Sequence, residues 1–190
     1  MNTESQAVRA TTRDRNGRQL VVRRLGRGDL RALQGFNRSL SHATQSIFYP
    51  HRYSSGVIAR YIQRSLSGQD LAYLVWAGKK VVAYCFLWEL TDPVPHLGIG
   101  IVDAWQNQGL GKYLMRILIA DARKHGARGI ALTTTQENER AFHVYRRSGF
   151  RYTGDIENIA GGGVVWKERA MFLPLRRGAK PSRRPFRPPV

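Results

Sequence analysis

Gln106, Gly109, Gly111 and Lys112 are residues of the kinds that hold a phosphate. They lie in Ile101-Val102-Asp103-Ala104-Trp105-Gln106-Asn107-Gln108-Gly109-Leu110-Gly111-Lys112. There an apolar run ends and a polar turn with two glycines follows. Apolar residues then recur at Leu110, Tyr113, Leu114, Ile117, Leu118 and Ala122, which is the spacing of one helical face. A helix N-terminus has N–H groups without partners and a partial positive charge, so it receives anions. Gly109 and Gly111 carry no side chain to hold a pyrophosphate away from those amides. Lys112 adds a full charge, and Gln106 and Gln108 add side-chain donors. A Gly-x-Gly turn by itself equally serves to pack a strand against a helix.

A second segment follows a strand pattern at Gly129 to Thr134. It reads Asn138-Glu139-Arg140-Ala141-Phe142-His143-Val144-Tyr145-Arg146-Arg147-Ser148-Gly149-Phe150. Strand, then Gln-x-x-Gly-x-Gly, then amphipathic helix resembles the acetyl-CoA-binding motif of the GNAT superfamily of N-acetyltransferases. The second segment resembles that family's Asn-x-x-Ala-x-x-x-Tyr-x-x-x-Gly-Phe helix. The resemblance spans roughly Leu20 to Leu175 and is strongest from His96 to Phe150. Its loop wording is closest to bacterial protein lysine acetyltransferases.

The resemblance implies acetyl-CoA as acyl donor. The cofactor would be held by Ile101, Val102, Gln106, Asn107, Gln108, Gly109, Leu110, Gly111, Lys112 and Asn138. It implies direct transfer to a primary amine in a ternary complex, the acceptor being a protein lysine, a protein N-terminus or a small amine. A lysine-type amine with a pKa near 10.4 costs about 4.6 kcal/mol to deprotonate at pH 7, so a base must help. The leaving thiolate must be protonated. Tyr145, the tyrosine of the second motif, is the general acid that the resemblance implies; its plain alternative is a core-edge aromatic. Asn138 has helix capping as its plain alternative. For the base, His96 stands where related acetyltransferases tend to have a glutamate, and a histidine near pKa 6.5 is a chemically sensible replacement. Glu89 and Asp92 compete with it.

The elements that must position these residues read as follows. Met1 to Arg18 is expected to be a flexible tail. Strands are expected at Gln19–Leu25, Leu71–Ala77, Val81–Trp88, His96–Val102 and Gly129–Thr134, with two more at Phe150–Asn158 and Val164–Leu173. Helices are expected from an Asp29 cap to about Leu40, after a cap at Ser54 or Ser55, at Gly109–His125 and at about Glu137–Arg147. Gly98 and Gly100 inside a strand mark a bulge or a close backbone approach. Phe48, Tyr49 and Tyr53 either wall the acceptor side or pack a loop onto the core. The expected fold is α/β (α+β): a mixed, mostly antiparallel sheet flanked by helices. By the resemblance it is splayed between its fourth and fifth strands, and the acyl-pantetheine arm lies in the gap.

At 190 residues this is one domain, residues 19–175, between the N-terminal tail and a disordered basic tail at 176–190. No apolar run approaches the roughly 20 residues of a membrane span, and the polar first 18 residues show no secretory signal. The single cysteine, Cys85, sits in an apolar run; a core position and a reducing cytoplasm fit it. The histidines lack metal-ligand spacing, so no metal site is expected. Net charge is +18, of which residues 176–190 hold +6 and residues 1–18 hold +2, leaving +10 on the domain. That exceeds what one polyanionic cofactor requires and suggests an acidic partner. The competing readings are therefore a nucleic-acid- or ribosome-binding protein on a GNAT scaffold, and an acyl-CoA sensor without turnover.

Overall fold

Two almost uninterrupted apolar runs form the middle of the sheet, because a strand covered on both faces has no side that can be polar. They are β3 (Leu71–Ala77) and β4 (Lys80–Trp88). The computed structural model describes residues 7–159, 163–181 and 188–190. Before β3 come β1 (Val8–Arg13), β2 (Gln19–Arg24), α1 (Leu30–Arg38), the single turn α2 (His42–Gln45) and α3 (Ser55–Leu66). After β4 come β5 (His96–Ile101), α4 (Leu110–Lys124), β6 (Gly129–Thr135), α5 (Glu139–Arg147), β7 (Arg151–Ile159) and β8 (Val165–Pro174). The sheet order is β1-β2-β3-β4-β5-β6-β8-β7. Every neighbouring pair is antiparallel except β5 and β6. A mixed, mostly antiparallel α/β fold was the expectation, and this is one.

Alternation along β3 and β4 builds two cores. Tyr73, Val75, Ala83, Cys85 and Leu87 face α4, whose Leu114 and Leu118 are fully buried against them. Leu74, Tyr84, Phe86 and Trp88 face α1 and α3, meeting Phe36, Ile58 and Tyr61. Each such leucine or phenylalanine contributes about 1.5–3 kcal/mol by leaving water. Cys85 is buried in the first core, and burial pushes its thiol well above the ordinary range. No helix among the described residues is long and apolar enough to cross a membrane.

The splay falls between β5 and β6. These strands are paired only at His96↔Ala131, and beyond that point they diverge. Register along β4 and β5 is unbroken, so the glycines of β5 mark close approach and not a bulge. A Cβ on Gly98 would stand 2.2 Å from the Phe86 ring, and one on Gly100 would stand 2.3 Å from the Phe48 ring. Phe86 cannot yield, because it is buried and stacked on Trp88 with centroids 3.8 Å apart. Gly98→Ala is therefore expected to cost about 1–3 kcal/mol, read as a lowered urea midpoint with an unchanged slope. An unshifted midpoint would mean that the ring has room to move.

Several expectations need correction. Residues 8–13 are not part of a loose tail; they form β1, an edge strand on β2 with Thr11↔Val21 and Thr12↔Leu20. Asp14 makes the turn, its carboxylate accepting from the Asn16 and Arg18 backbone N–H groups at 2.9 and 2.8 Å, and Gly17 takes φ +78. Arg9 ties the strand to α4 by a 2.9 Å ion pair with Asp121, which also accepts from the Tyr73 hydroxyl. Asp29 precedes α1 but does not cap it. Its carboxylate turns back to the Gly26 N–H and pairs with Arg23 at 2.7 Å. The segment expected to be a disordered basic tail starts tied down: the Arg176 N–H donates to the Arg128 carbonyl at 3.0 Å, beside the Leu175 N–H at the end of the domain. Residues 182–187 lie outside the described residues. Val190 packs on the second core and Pro188 reaches a cavity wall, since both are apolar and find an apolar surface. Gly161 and Gly162, expected to link the last two strands, also lie outside the described residues.

Candidate active site

The gap between β5 and β6 opens into a cavity of about 440 Å³ at the N-terminus of α4. One end is the glycine turn. Asn107 and Gly109 both adopt left-handed backbone, φ +61 and +83, and the second is free of Cβ cost. Gln106 does not point outward: its amide donates to the Ile101 carbonyl at 2.9 Å and to the Thr44 hydroxyl at 3.3 Å, bracing the turn from inside. Asp103 holds the same turn to α2. It accepts from the Ser41 N–H, the Ser41 hydroxyl and the Thr44 hydroxyl at 3.0, 2.7 and 2.7 Å. Burial pushes its carboxyl up, but those bonds outweigh burial and bring it down to about 2. The β1–β2 hairpin holds the outer side. The Arg18 guanidinium lies 3.6 Å over the Trp105 ring and donates to Gln108 at 3.0 Å.

Of the residues expected to hold the cofactor, Gln106, Asn107, Gly109, Gly111, Lys112 and Ile101 line the cavity; Val102, Gln108 and Leu110 do not. Val102 packs with the second core, and its N–H donates to the Val82 carbonyl. Gln108 is engaged by Ala104 and Arg18. Leu110 puts its side chain into the first core and can serve only through its backbone. Asn138 caps its helix and stands at the cavity as well. Its side-chain carbonyl caps α5 by accepting from the Ala141 N–H at 3.1 Å, and it borders the cavity.

Arg15, Arg140 and Arg147 join Lys112 around this cavity, and among the described residues no acid lines it. Sequence reasoning did not single these arginines out. Arg140 and Arg147 were visible as the exposed basic face of a helix, whereas Arg15 arrives only because β1 and β2 form a hairpin. Four cations, a helix N-terminus and two side-chain-free positions suit a polyphosphate. Beyond them Leu97, Ile99 and Met115 supply apolar wall. The β5 edge, unpaired after His96, offers backbone donors and acceptors to an amide-bearing arm. These residues fit coenzyme A.

Tyr145 borders the inner end of the cavity. Burial, and after it the charge of Glu168, push its phenol up to about 12, so it holds its proton at neutral pH. A smaller cavity of about 80 Å³ adjoins the first, and both share Phe48, Leu97, Gly98 and Thr133. Its walls include Tyr49, Phe86, Trp88 and Trp166, and its polar residues include His96, Asn158 and Glu168. His96 is thus at the site, but burial lowers its imidazole to about 3, which makes it a weak proton acceptor. Glu89 and Asp92 line neither cavity. The chain turns at Glu89, φ +55, whose N–H donates to Asp70; burial and then Asp92 raise its carboxyl. Phe48 and Tyr49 do reach the site, while Tyr53 stacks on His51, centroids 4.6 Å apart, and packs into the core.

Glu168 was missed, although a signal existed. Trp166, Glu168, Ala170 and Phe172 fall on one face of β8, so the acid occupies a position that alternation would make apolar.

Comparison with known proteins gives a consistent answer. The sequence pattern of the acetyltransferase (GNAT) family matches residues 38–150. A streptothricin acetyltransferase from Streptomyces lavendulae is 31% identical over 77 residues, 40% of this chain and 41% of that protein. A mycothiol acetyltransferase from Corynebacterium glutamicum is 27% identical over 110 residues, 57% of this chain and 36% of that protein. The chain therefore spans less than half the length of these two curated relatives. Among solved structures, the GNAT domain of PAT from S. lividans superposes with a TM-score of 0.72 at 19% identity, covering 87% of this chain and 96% of that one.

Proposed function

The chain belongs to the acetyltransferase (GNAT) family, and from that premise we propose that it moves an acetyl group from acetyl-CoA to a primary alkylamine. The observation that carries this reading is the acid-free, four-cation cavity at the α4 N-terminus, which runs into the β5–β6 gap and ends at Tyr145. When bound, acetyl-CoA supplies an acyl group on a good leaving thiol. Arg15, Lys112, Arg140 and Arg147 would hold its phosphates, and Gly109 and Gly111 leave the turn amides open to an anion. The unpaired β5 edge would orient the arm toward Tyr145. Tyr145 keeps a proton ready for the departing thiolate. The same dry site that raises the phenol also raises the thiol, so the gap between the two does not widen as it would if the phenol alone were raised.

The acceptor enters from the smaller cavity, whose aromatic walls admit an alkyl stem tipped by an amine. A lysine side chain on another protein fits that shape, as does a small diamine. Two relatives are named for streptothricin and mycothiol, which supports acceptors other than proteins. Part of the net charge of +18 is used at the cofactor cavity, which lessens the need for a nucleic-acid partner. Calorimetric titration with acetyl-CoA tests the cofactor site. Binding at micromolar concentrations that survives a rise from about 50 to 200 mM salt is expected. A nucleic-acid site would lose about 10³–10⁵ in affinity over that range. Absence of acetyl-CoA binding would refute the proposal.

A further inference from the structure

Glu168 is a buried carboxylate, 8% exposed, in the centre of β8. It accepts from the Asn158 side-chain amide at 2.5 Å and from the Thr133 hydroxyl. Both donors are neutral, and among the described residues no cation forms an ion pair with it. Among those residues it is also the only acid lining the smaller cavity. A buried carboxylate without a counter-ion is costly, so a fold that keeps one at a cavity wall is suited to receive a cation there. Trp166 and Tyr49 line the same space, and aromatic faces also favour a cation.

We propose that Glu168 is the acceptor-binding and proton-accepting residue of this site, pairing with the ammonium head of a primary alkylamine that enters beside Trp166. The inference rests on the acetyl-transfer reading above. Asn158 and Thr133 fix the carboxylate so that it faces the cavity and cannot fold away. The ammonium gives one proton to Glu168, and the freed nitrogen pair bonds to the acyl carbon as the carbon–sulfur bond breaks. The thiolate takes the Tyr145 proton, and the second nitrogen proton restores the phenol. The proton on Glu168 passes to water, one per turnover. Burial raises the Glu168 carboxyl above its ordinary range, which narrows the gap to the ammonium it must deprotonate. The ionisable groups that share this space are Tyr49, Tyr145 and His96; burial keeps the Tyr145 phenol protonated and the His96 imidazole neutral, so Glu168 carries the charge of the pocket.

The test is Glu168→Gln, which keeps the shape and an oxygen to accept from Asn158 while removing the charge. Its acetyl-CoA affinity should match the parent's, which shows that it folds. Its kcat/KM for n-butylamine should fall at least 10²-fold, and Glu168→Asp should recover part of the loss. Binding of n-butylammonium to the coenzyme A complex, followed by calorimetry, should vanish in Glu168→Gln. Turnover within threefold of the parent would overturn the role of Glu168 and leave the acetyl-transfer reading intact. If the parent itself transfers nothing, the acetyl-transfer reading fails. The butylammonium titration then decides separately: equal binding by parent and variant overturns the inference, and loss in the variant upholds the cation site.

Discussion

Tyr145→Phe is expected to lower kcat for acetyl transfer by about 10²–10³-fold, within the range by which one positioned proton donor accelerates a reaction. Acetyl-CoA affinity should change less than threefold. The separation follows from where the residue sits. Its ring packs on the first core and lies 6.0 Å from Phe150, and phenylalanine keeps those contacts. Only the hydroxyl is lost, and it contributes when the thiolate departs, not when the cofactor docks. The loss should appear in kcat and in kcat/KM alike, the pattern of an interaction made in the transition state. It should shrink for acyl donors whose thiol is more acidic, since they need less help in leaving. Equal turnover by the parent and the Tyr145→Phe variant, measured as thiol release, would remove Tyr145 from the chemistry and leave it a packing residue.

Gly111→Glu should weaken acetyl-CoA binding by 10²-fold or more while leaving the fold in place. Gly111 lies in the first turn of α4, its backbone is not left-handed, and an added Cβ meets only Ile101 at 3.5 Å. The helix therefore accepts a side chain there, but the side chain must enter the cavity. A glutamate would occupy the space of the pyrophosphate and put a negative charge among Arg15, Lys112, Arg140 and Arg147. A carboxylate near a helix N-terminus is itself favourable, so the protein should melt no lower than the parent. A hundredfold loss corresponds to about 2.7 kcal/mol. Calorimetry on the variant checks this beside its thermal midpoint. Unchanged affinity would place the phosphates away from this turn.

The parts of the site that were legible in the sequence are those written locally. The glycine turn and the α5 motif each hold their residues within a turn or two of helix, so spacing alone brings Gly109 beside Lys112 and Asn138 over Ala141. The glycines of β5 were legible as a bulge or a close approach, and the unbroken register with β4 and the rings of Phe86 and Phe48 decide for the second. The smaller cavity could not be read in the same way. His96, Asn158 and Glu168 come from three strands, and only the sheet order β5-β6-β8-β7 makes them neighbours. The choice of base suffered for the same reason. His96 was placed by its position along one strand, but its burial, which weakens it as a base, depends on what packs over it from elsewhere. β1 was missed because an exposed edge strand shows little apolar alternation and carries the charges that discourage further pairing. The hairpin it forms brings Arg15 to the cavity and Arg18 onto Trp105.

The central claim is that the β5–β6 gap presents an acetyl thioester to an amine in the adjoining pocket. The most direct measurement incubates the full chain with acetyl-CoA and a panel of primary alkylamines, including a lysine-bearing peptide and a diamine. It follows free thiol release together with the mass of each amine. The account predicts thiol release that depends on the amine, with one acetyl group gained per thiol released and loss of both in Tyr145→Phe. Tight acetyl-CoA binding with no amine-dependent thiol release and no acetylated product would contradict it, and would make the gap a binding site without transfer.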